Sequence, residues 1–377
     1  MINKNKKPIA LYVHIPFCER KCLYCSFVSF VDLAKEKDYF LALKNQINAV
    51  SPEILKTKTI GSIYFGGGTP SFVHEQHVCE ILELIKNKFE LTTNCEISIE
   101  CNPNSSYEEK LKAYLNAGFN RISFGVQSFC DNELKAIGRL HNSFQAEQAI
   151  MLAHKVGFKN ISCDLLVGIP FQTKETFLTS INKATSLPIN HISAYSLILE
   201  EETPLFNLVK DKKVSIADEE KSVELIKMLE KKLEILEFKK YEISNFAKSG
   251  YECKQNISYW KCEEYLGFGV AAHGYVNGER IENTRNLNEF ISGNYVKNKH
   301  FVSIEEKIEE RIMLGLRMVK GFDLKTFKED FAFDFLETKK TEIELLKNKR
   351  LIKIKNNHLS LTKKGFFVCN LIILRLI

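Results

Sequence analysis

Between residues 10 and 197 the chain alternates between two patterns of apolar and polar positions. Short runs dense in Val, Ile, Leu and aromatic residues read as strands at 10–15, 62–65, 95–100, 121–126, 161–167 and 191–197. Longer segments between them repeat apolar residues every three or four positions, as Val78, Ile81, Leu82 and Ile85 do within 73–89. The same period marks 32–50, 107–116, 144–156 and 173–186 as helices. Strands alternating with helices predict an α/β fold with a parallel sheet. Six units predict an open, partial (β/α)6 TIM-like barrel, in which reactive groups sit at the C-terminal ends of the strands. Those ends carry the unusual residues: 18–25, 66–70, 100–103, 125–129 and 164–170.

The alternation stops near residue 200. A Lys- and Glu-rich helical pattern covers 216–236, and a second cluster of unusual residues spans 241–275. From 304 onward the chain reads helix, helix, then short strands at 351–355 and 358–362, the pattern of a smaller α+β winged-helix-like domain. The expected division is a barrel core at 1–200, an extension packing on it at 201–300, and the C-terminal domain at 301–377. That last domain is read as a cap on the barrel rather than a nucleic-acid reader. Residues 366–377 are apolar but too few to span a bilayer and contain Asn370 and Arg375, so a packed terminal helix is expected. A weak contact with a membrane surface or partner is the alternative there.

Composition narrows the class. Of 377 residues, 45% are hydrophobic and 27% charged, which excludes a disordered or low-complexity chain. Lys plus Arg exceeds Asp plus Glu by 53 − 47 = 6, spread along the chain, and this does not predict nucleic-acid binding. There are eleven cysteines, an odd number. The opening 1–8 is lysine-rich with no apolar run, so no signal peptide is expected and the protein is placed in the cytoplasm. In that compartment clustered cysteines point to metal or redox chemistry rather than disulfides.

Cys18, Cys22 and Cys25 form C-x3-C-x2-C directly after the first strand. A structural zinc site would want a fourth ligand, and the nearby His14 should still lie on the strand. Three thiolates on one loop instead leave one iron of a [4Fe–4S] cluster open to a ligand. Buried reduced cysteines and a zinc site are the competing readings. With Tyr24, the motif C-x3-C-x-Tyr-C resembles the signature of radical S-adenosylmethionine (SAM) enzymes. The resemblance implies a [4Fe–4S] cluster on these cysteines and SAM beside it. It gives Gly67, Gly68 and Thr69, in Gly66-Gly67-Gly68-Thr69-Pro70, to the SAM amino group. Glu100 and Asp164 could accept hydrogen bonds, and Arg139 could pair with a carboxylate. Gln127, Tyr12 and Ile198 complete the implied SAM site. Taken singly, each of these has a bland reading as a capping or surface residue.

The segments HIPFC, YFGGGTPS, IECNP, GVQSF, DLLVGIP, YEISNFA and QNISYWKCEEYLGFGVAAHG resemble the coproporphyrinogen III dehydrogenase-like family, most closely its heme chaperone branch. The likeness covers about 8–375. True dehydrogenases resemble C-x3-C-x2-C-x-C, whereas Phe27 stands at the fourth position here, and they carry a longer segment before the cluster loop. Both departures favour a chaperone that binds heme for acceptor hemoproteins and draws on an electron donor. Oxidative decarboxylation of coproporphyrinogen III propionates is the alternative. The chaperones usually show His-Asn-x-x-Tyr-Trp where this chain has Gln255-Asn256-Ile257-Ser258-Tyr259-Trp260. Glutamine is a poor heme ligand, so Cys253, Tyr259 and His273 become the candidate heme contacts.

Overall fold

The computed structural model describes residues 6–377; of the lysine-rich opening segment, 1–5 lie outside the described residues. Six strands lie side by side in chain order and parallel: β1 (Lys7–Ile15), β2 (Lys58–Gly67), β3 (Leu91–Cys101), β4 (Arg121–Gln127), β5 (Asn160–Val167) and β6 (His191–Ser196). Helices Glu36–Asn48, Glu75–Lys88, Glu108–Ala117, Ser143–Val156 and Lys174–Ser186 cross between them. This is the α/β partial barrel that the alternation predicts. Strands outrun their apolar runs because pairing continues past the last apolar side chain: Lys7 faces Lys58, and Ile15 faces Gly67. The helix expected over 32–50 is shorter, and a separate helix, Pro52–Thr57, follows it. Ser51 caps that helix by accepting from the Ile54 N–H, and Pro52 sits at its first position.

Successive strand residues point to opposite faces. Leu11, Val13, Ile63, Phe65, Ile99, Ile122, Phe124 and Leu165 take the outer face and form the main core under the helices. Burial of each contributes about 1.5–3 kcal/mol. The alternate positions are polar: Tyr12, His14, Tyr64, Ser98, Glu100, Arg121, Ser123, Asp164 and Ser193. The register aligns them across the barrel, with Tyr64 beside Ser98, Ser98 beside Arg121, Glu100 beside Ser123, and Asp164 beside Ser193. Apolar packing therefore holds the outside of the barrel, while its interior is lined for polar chemistry.

The sheet continues after β6. Strands β7 (Lys239–Lys240) and β8 (Asn245–Ala247) add antiparallel at the β6 edge. At the other edge β9 (Tyr265–Phe268) pairs parallel with β1, followed by β10 (His273–Val276), β11 (Glu279–Asn283) and β12 (Val296–Phe301), giving twelve strands. The segment 201–300 thus joins the barrel's own sheet at both edges. These strands are short or solvent-facing, and β12 is exposed throughout, so they leave no apolar pattern to read.

The C-terminal domain has its own core around Leu316, Phe327, Phe335, Leu359 and Ile372. Helices Ile304–Gly315, Leu324–Phe331 and Lys340–Asn348 pack with β13 (Phe322–Asp323), β14 (Ile352–Lys355) and β15 (His358–Leu361). The terminal helix Cys369–Leu376 buries Ile372, Ile373 and Leu376 and leaves Leu371 and Leu374 exposed. Among the described residues no helix is long and apolar enough to cross a membrane.

Candidate functional site

A cavity of about 1050 Å³ opens at the C-terminal ends of the barrel strands. The loop after β1 forms one wall, the ends of β2 to β6 the floor, and Phe366, Phe367 and Asn370 of the C-terminal domain part of the far wall. Cys18, Cys22, Tyr24, Cys25, Gly67, Gly68, Thr69, Glu100, Gln127, Arg139, Asp164 and Ile198 all line it. Tyr12, Cys253, Tyr259 and His273 do not.

The cysteine loop is closed by the backbone. The Cys18 N–H donates to Phe30 O (3.0 Å), Phe30 N–H to Pro16 O (2.6 Å), and Cys25 N–H to Cys22 O (3.2 Å). Burial pushes the Cys18 and Cys25 thiols up, and the neighbouring cysteines add to this, so the three sulfurs share one space. Donors offset the cost of a thiolate: Thr69 Oγ1–H points at Cys18 Sγ (3.4 Å) and an Arg139 Nη1–H at Cys22 Sγ (3.3 Å). Among the described residues no three His, Cys, Asp or Glu side chains are gathered as ligands of a single metal ion. A four-iron cluster differs in presenting a separate iron to each thiolate.

Arg139 is fixed by Asn102, whose role the sequence did not suggest. An Arg139 Nη2–H donates to Asn102 Oδ1 (2.6 Å) and to Gly125 O (2.5 Å), and Asn102 Nδ2–H donates to Thr69 Oγ1 (3.1 Å). Neighbouring Tyr24 and Cys22 counter the effect of burial and keep the guanidinium charged. Its Nε is buried with no hydrogen-bond partner, a donor left over beside the cysteines. Asn102 could have been found as the Asn of IECNP, directly after a strand.

The backbone of the glycine run is tied into the fold. The amide protons are used within the fold: Gly67 N–H on Glu100 Oε2 (3.2 Å), Gly68 N–H on Ile15 O (2.9 Å), Thr69 N–H on Phe17 O (2.8 Å). What the run can offer a ligand is carbonyl oxygen, which suits a donor such as an ammonium group. Gly67 has φ +115°, and a Cβ there would lie 2.6 Å from the His14 ring. A side chain at 67 therefore strikes His14 first. A Cβ on Gly68 would meet Phe17 O at 2.8 Å.

His14 stays on β1, as expected. One ring nitrogen meets Tyr12 Oη (3.0 Å) and the other Val28 O (3.0 Å), and burial lowers its pKa to about 4. Tyr12 thus acts behind the wall, holding His14 against the returning end of the cysteine loop and stacking on Tyr64. Glu100 accepts from Tyr64 O–H (2.8 Å), and burial raises its pKa to about 7. Asp164 is also raised by burial, although Ser123 O–H donates to it (3.0 Å). Gln127 has φ 69° beside a bulge in β4, a strained conformation that turns the chain at the cavity floor. Ile198 is 71% exposed at the mouth.

The three heme candidates are not brought together. Cys253 is fully buried, and Tyr259 is hydrogen-bonded to Gln255 Nε2–H (2.9 Å). Gln255 is 1% exposed and accepts from Ser62 O–H (2.7 Å), so it plugs the barrel away from the mouth. His273 is exposed on β10, which lies between β9 and β11, away from the cavity.

Comparison with known proteins places this geometry. Residues 12–184 match the radical SAM superfamily and residues 302–368 the HemN C-terminal domain. The chain is 36% identical to the heme chaperone HemW of Bacillus subtilis, covering 95% of this chain and 96% of that one. It is 33% identical to heme chaperone HemW of Lactococcus lactis, covering 97% and 96%. It superposes on coproporphyrinogen III oxidase (HemN) from Escherichia coli with a TM-score of 0.84 at 20% identity, covering 100% and 91%, a likeness of fold.

Proposed function

The chain belongs to the heme chaperone HemW family within the radical SAM superfamily, and from that premise we propose that it holds a [4Fe–4S] cluster on Cys18, Cys22 and Cys25, binds SAM beside it, and carries heme to acceptor hemoproteins. When bound, the cluster supplies a low-potential electron, drawn from a donor protein or reductant, for reductive chemistry on SAM. The chain's own residues position that cofactor. The carbonyls of the run at 66–68 take the SAM ammonium, Arg139 offers its free Nε–H to the carboxylate, and Glu100, Asp164 and Gln127 take the remaining polar groups. Tyr12, through His14 and Val28, keeps the cysteine loop seated.

One observation carries this reading: three thiols, an unpartnered guanidinium N–H and an acceptor-only glycine run meet on one cavity. The heme part is supported by likeness to heme chaperones over nearly the full chain. Anaerobic titration of the cluster-loaded protein with heme, followed by Soret absorbance, tests it. Saturable, near-stoichiometric binding is expected; absence of binding would refute the chaperone assignment.

A further inference from the structure

We infer that the heme sits across the mouth of the large cavity, held by its flat apolar faces and its propionates, with no axial ligand from the protein to the iron. This rests on the reading that the chain binds heme, and it names the site.

Gln255, at the position where the sequence resemblance implies a histidine, is sealed between Ser62 and Tyr259 and has no path to a large planar ligand. Among the described residues that line the cavity there is neither His nor Met; of its four thiols, Cys18, Cys22 and Cys25 are committed to the cluster, and Cys101 is buried at the end of β3. The phenols of Tyr24, Tyr64 and Tyr195 also reach it, but a phenol, with an ordinary pKa near 10, is protonated at neutral pH and then binds iron poorly.

The mouth is nevertheless built for an amphipathic plate. Phe27, the residue at the fourth-cysteine position, is 67% exposed on the rim. Phe366 and Phe367 face the cavity from the C-terminal domain. A volume of about 1050 Å³ exceeds the upper range of single-ligand pockets, roughly 1,000 Å³. One exposed phenylalanine on one side of such an opening and two half-buried ones on the other mark a binding surface.

Charge selects the orientation. Arg20 and Lys21 line the cavity on the cysteine-loop side, and among the described residues neither is in an ion pair. Arg20 donates only to the backbone carbonyls of Gly138 (2.9 Å) and Arg139 (3.4 Å). Lys240, also on the cavity, is held by Glu230 at 2.7 Å. Glu200 and Glu219 line the cavity as well, so the propionates turn toward Arg20 and Lys21.

The test is an anaerobic titration of the cluster-loaded protein with heme and, separately, with metal-free protoporphyrin IX, in the wild type and in Phe367→Ser, Phe27→Ser and Arg20→Glu/Lys21→Glu. Iron and sulfide content is measured on every sample. The inference expects the two tetrapyrroles to bind within about threefold of each other. It expects each phenylalanine variant to raise both Kd values at least tenfold with cluster content intact. The charge variant should weaken binding by a factor that shrinks at high salt. Heme binding a hundredfold tighter than protoporphyrin would establish an axial ligand and overturn the inference. So would unchanged heme affinity in both phenylalanine variants, or its loss in His273→Ala. Phe27 is solvent-exposed, so its variant keeps the test decisive if Phe367→Ser misfolds. Failure of the wild type to bind either tetrapyrrole would instead remove the chaperone reading itself.

Discussion

Glu100 stands inside the barrel at the end of β3, accepting hydrogen bonds from Tyr64 O–H and Gly67 N–H. Burial, with Asp164 adding to it, raises its pKa from the ordinary 4.5 to about 7 in spite of those bonds. The folded chain therefore keeps a proton between about pH 4.5 and 7 that the unfolded chain has lost. Stability falls as pH rises through that window and is level above it. The difference, 7 − 4.5 = 2.5 units, corresponds to a cost on the order of 3 kcal/mol at pH 8. Glu100→Gln removes the titration while keeping one oxygen to accept from Tyr64. Thermal unfolding of both proteins from pH 4.5 to 8, in the cluster-free state, reads the effect. At the acid end the variant should be equal to the wild type or slightly less stable. It should overtake the wild type as pH rises, with the gap widest near pH 8. Asp164 is present in both proteins but coupled to Glu100, so the difference between the curves reads Glu100 together with its effect on Asp164. Parallel curves across the window would refute the reasoning, as would a variant that loses ground toward pH 8.

Other substitutions probe the remaining parts of the site. Arg139→Met removes a charged donor worth about 1.5–3 kcal/mol, so SAM affinity by equilibrium dialysis should drop roughly 10- to 150-fold, with Arg139→Lys intermediate; an unchanged Kd would remove Arg139 from the SAM site. Cys22→Ala should abolish the brown absorbance and bound iron of the reconstituted protein, and retention of either would show the ligand assignment to be wrong. Gly67→Val combines φ +115° with a Cβ at 2.6 Å from the His14 ring, so the variant should unfold several degrees lower or fail to accumulate; a soluble variant of normal Tm that merely lost SAM would show that the side chain enters the ligand space instead. Gln255→His should leave heme affinity unchanged, because the position is sealed, and a large gain in Soret titration would contradict that.

The core barrel was legible because its strands and helices carry different periods, and because the residues at strand ends are chemically unusual. The same logic found the twelve cavity-lining candidates from Cys18 to Ile198. It missed three kinds of feature. Tyr64 and Arg121 belong to the site through pairing between neighbouring strands, which a linear pattern does not display, and Asn102 through its side-chain bonds to Thr69 and Arg139. Strands β7 to β12 are short or solvent-facing, and the two that join the barrel, β8 and β9, do so by pairing with β6 and β1, which lie far from them in sequence. Cys253, Tyr259 and His273 are candidates on ligand chemistry alone; the fold buries Cys253, engages Tyr259 with Gln255 and leaves His273 exposed on β10, off the cavity. Gly67 shows the subtlest case, since its neighbour is a histidine on β1 and not the ligand space.

β1 is the first strand of the chain, yet it lies in the interior of the sheet, with Ala10 to Val13 paired to Tyr265 to Phe268. The strand from which the three-thiol loop hangs is thus among the first made, and acquires its second neighbour only after residue 264 has been synthesised. Until then its open edge is a template for pairing with another chain, flanked by free cysteines. A nascent or truncated protein ending before β9 should therefore aggregate through its cofactor-bearing strand, and the order of synthesis leaves an interval for iron and sulfur to enter before that edge closes.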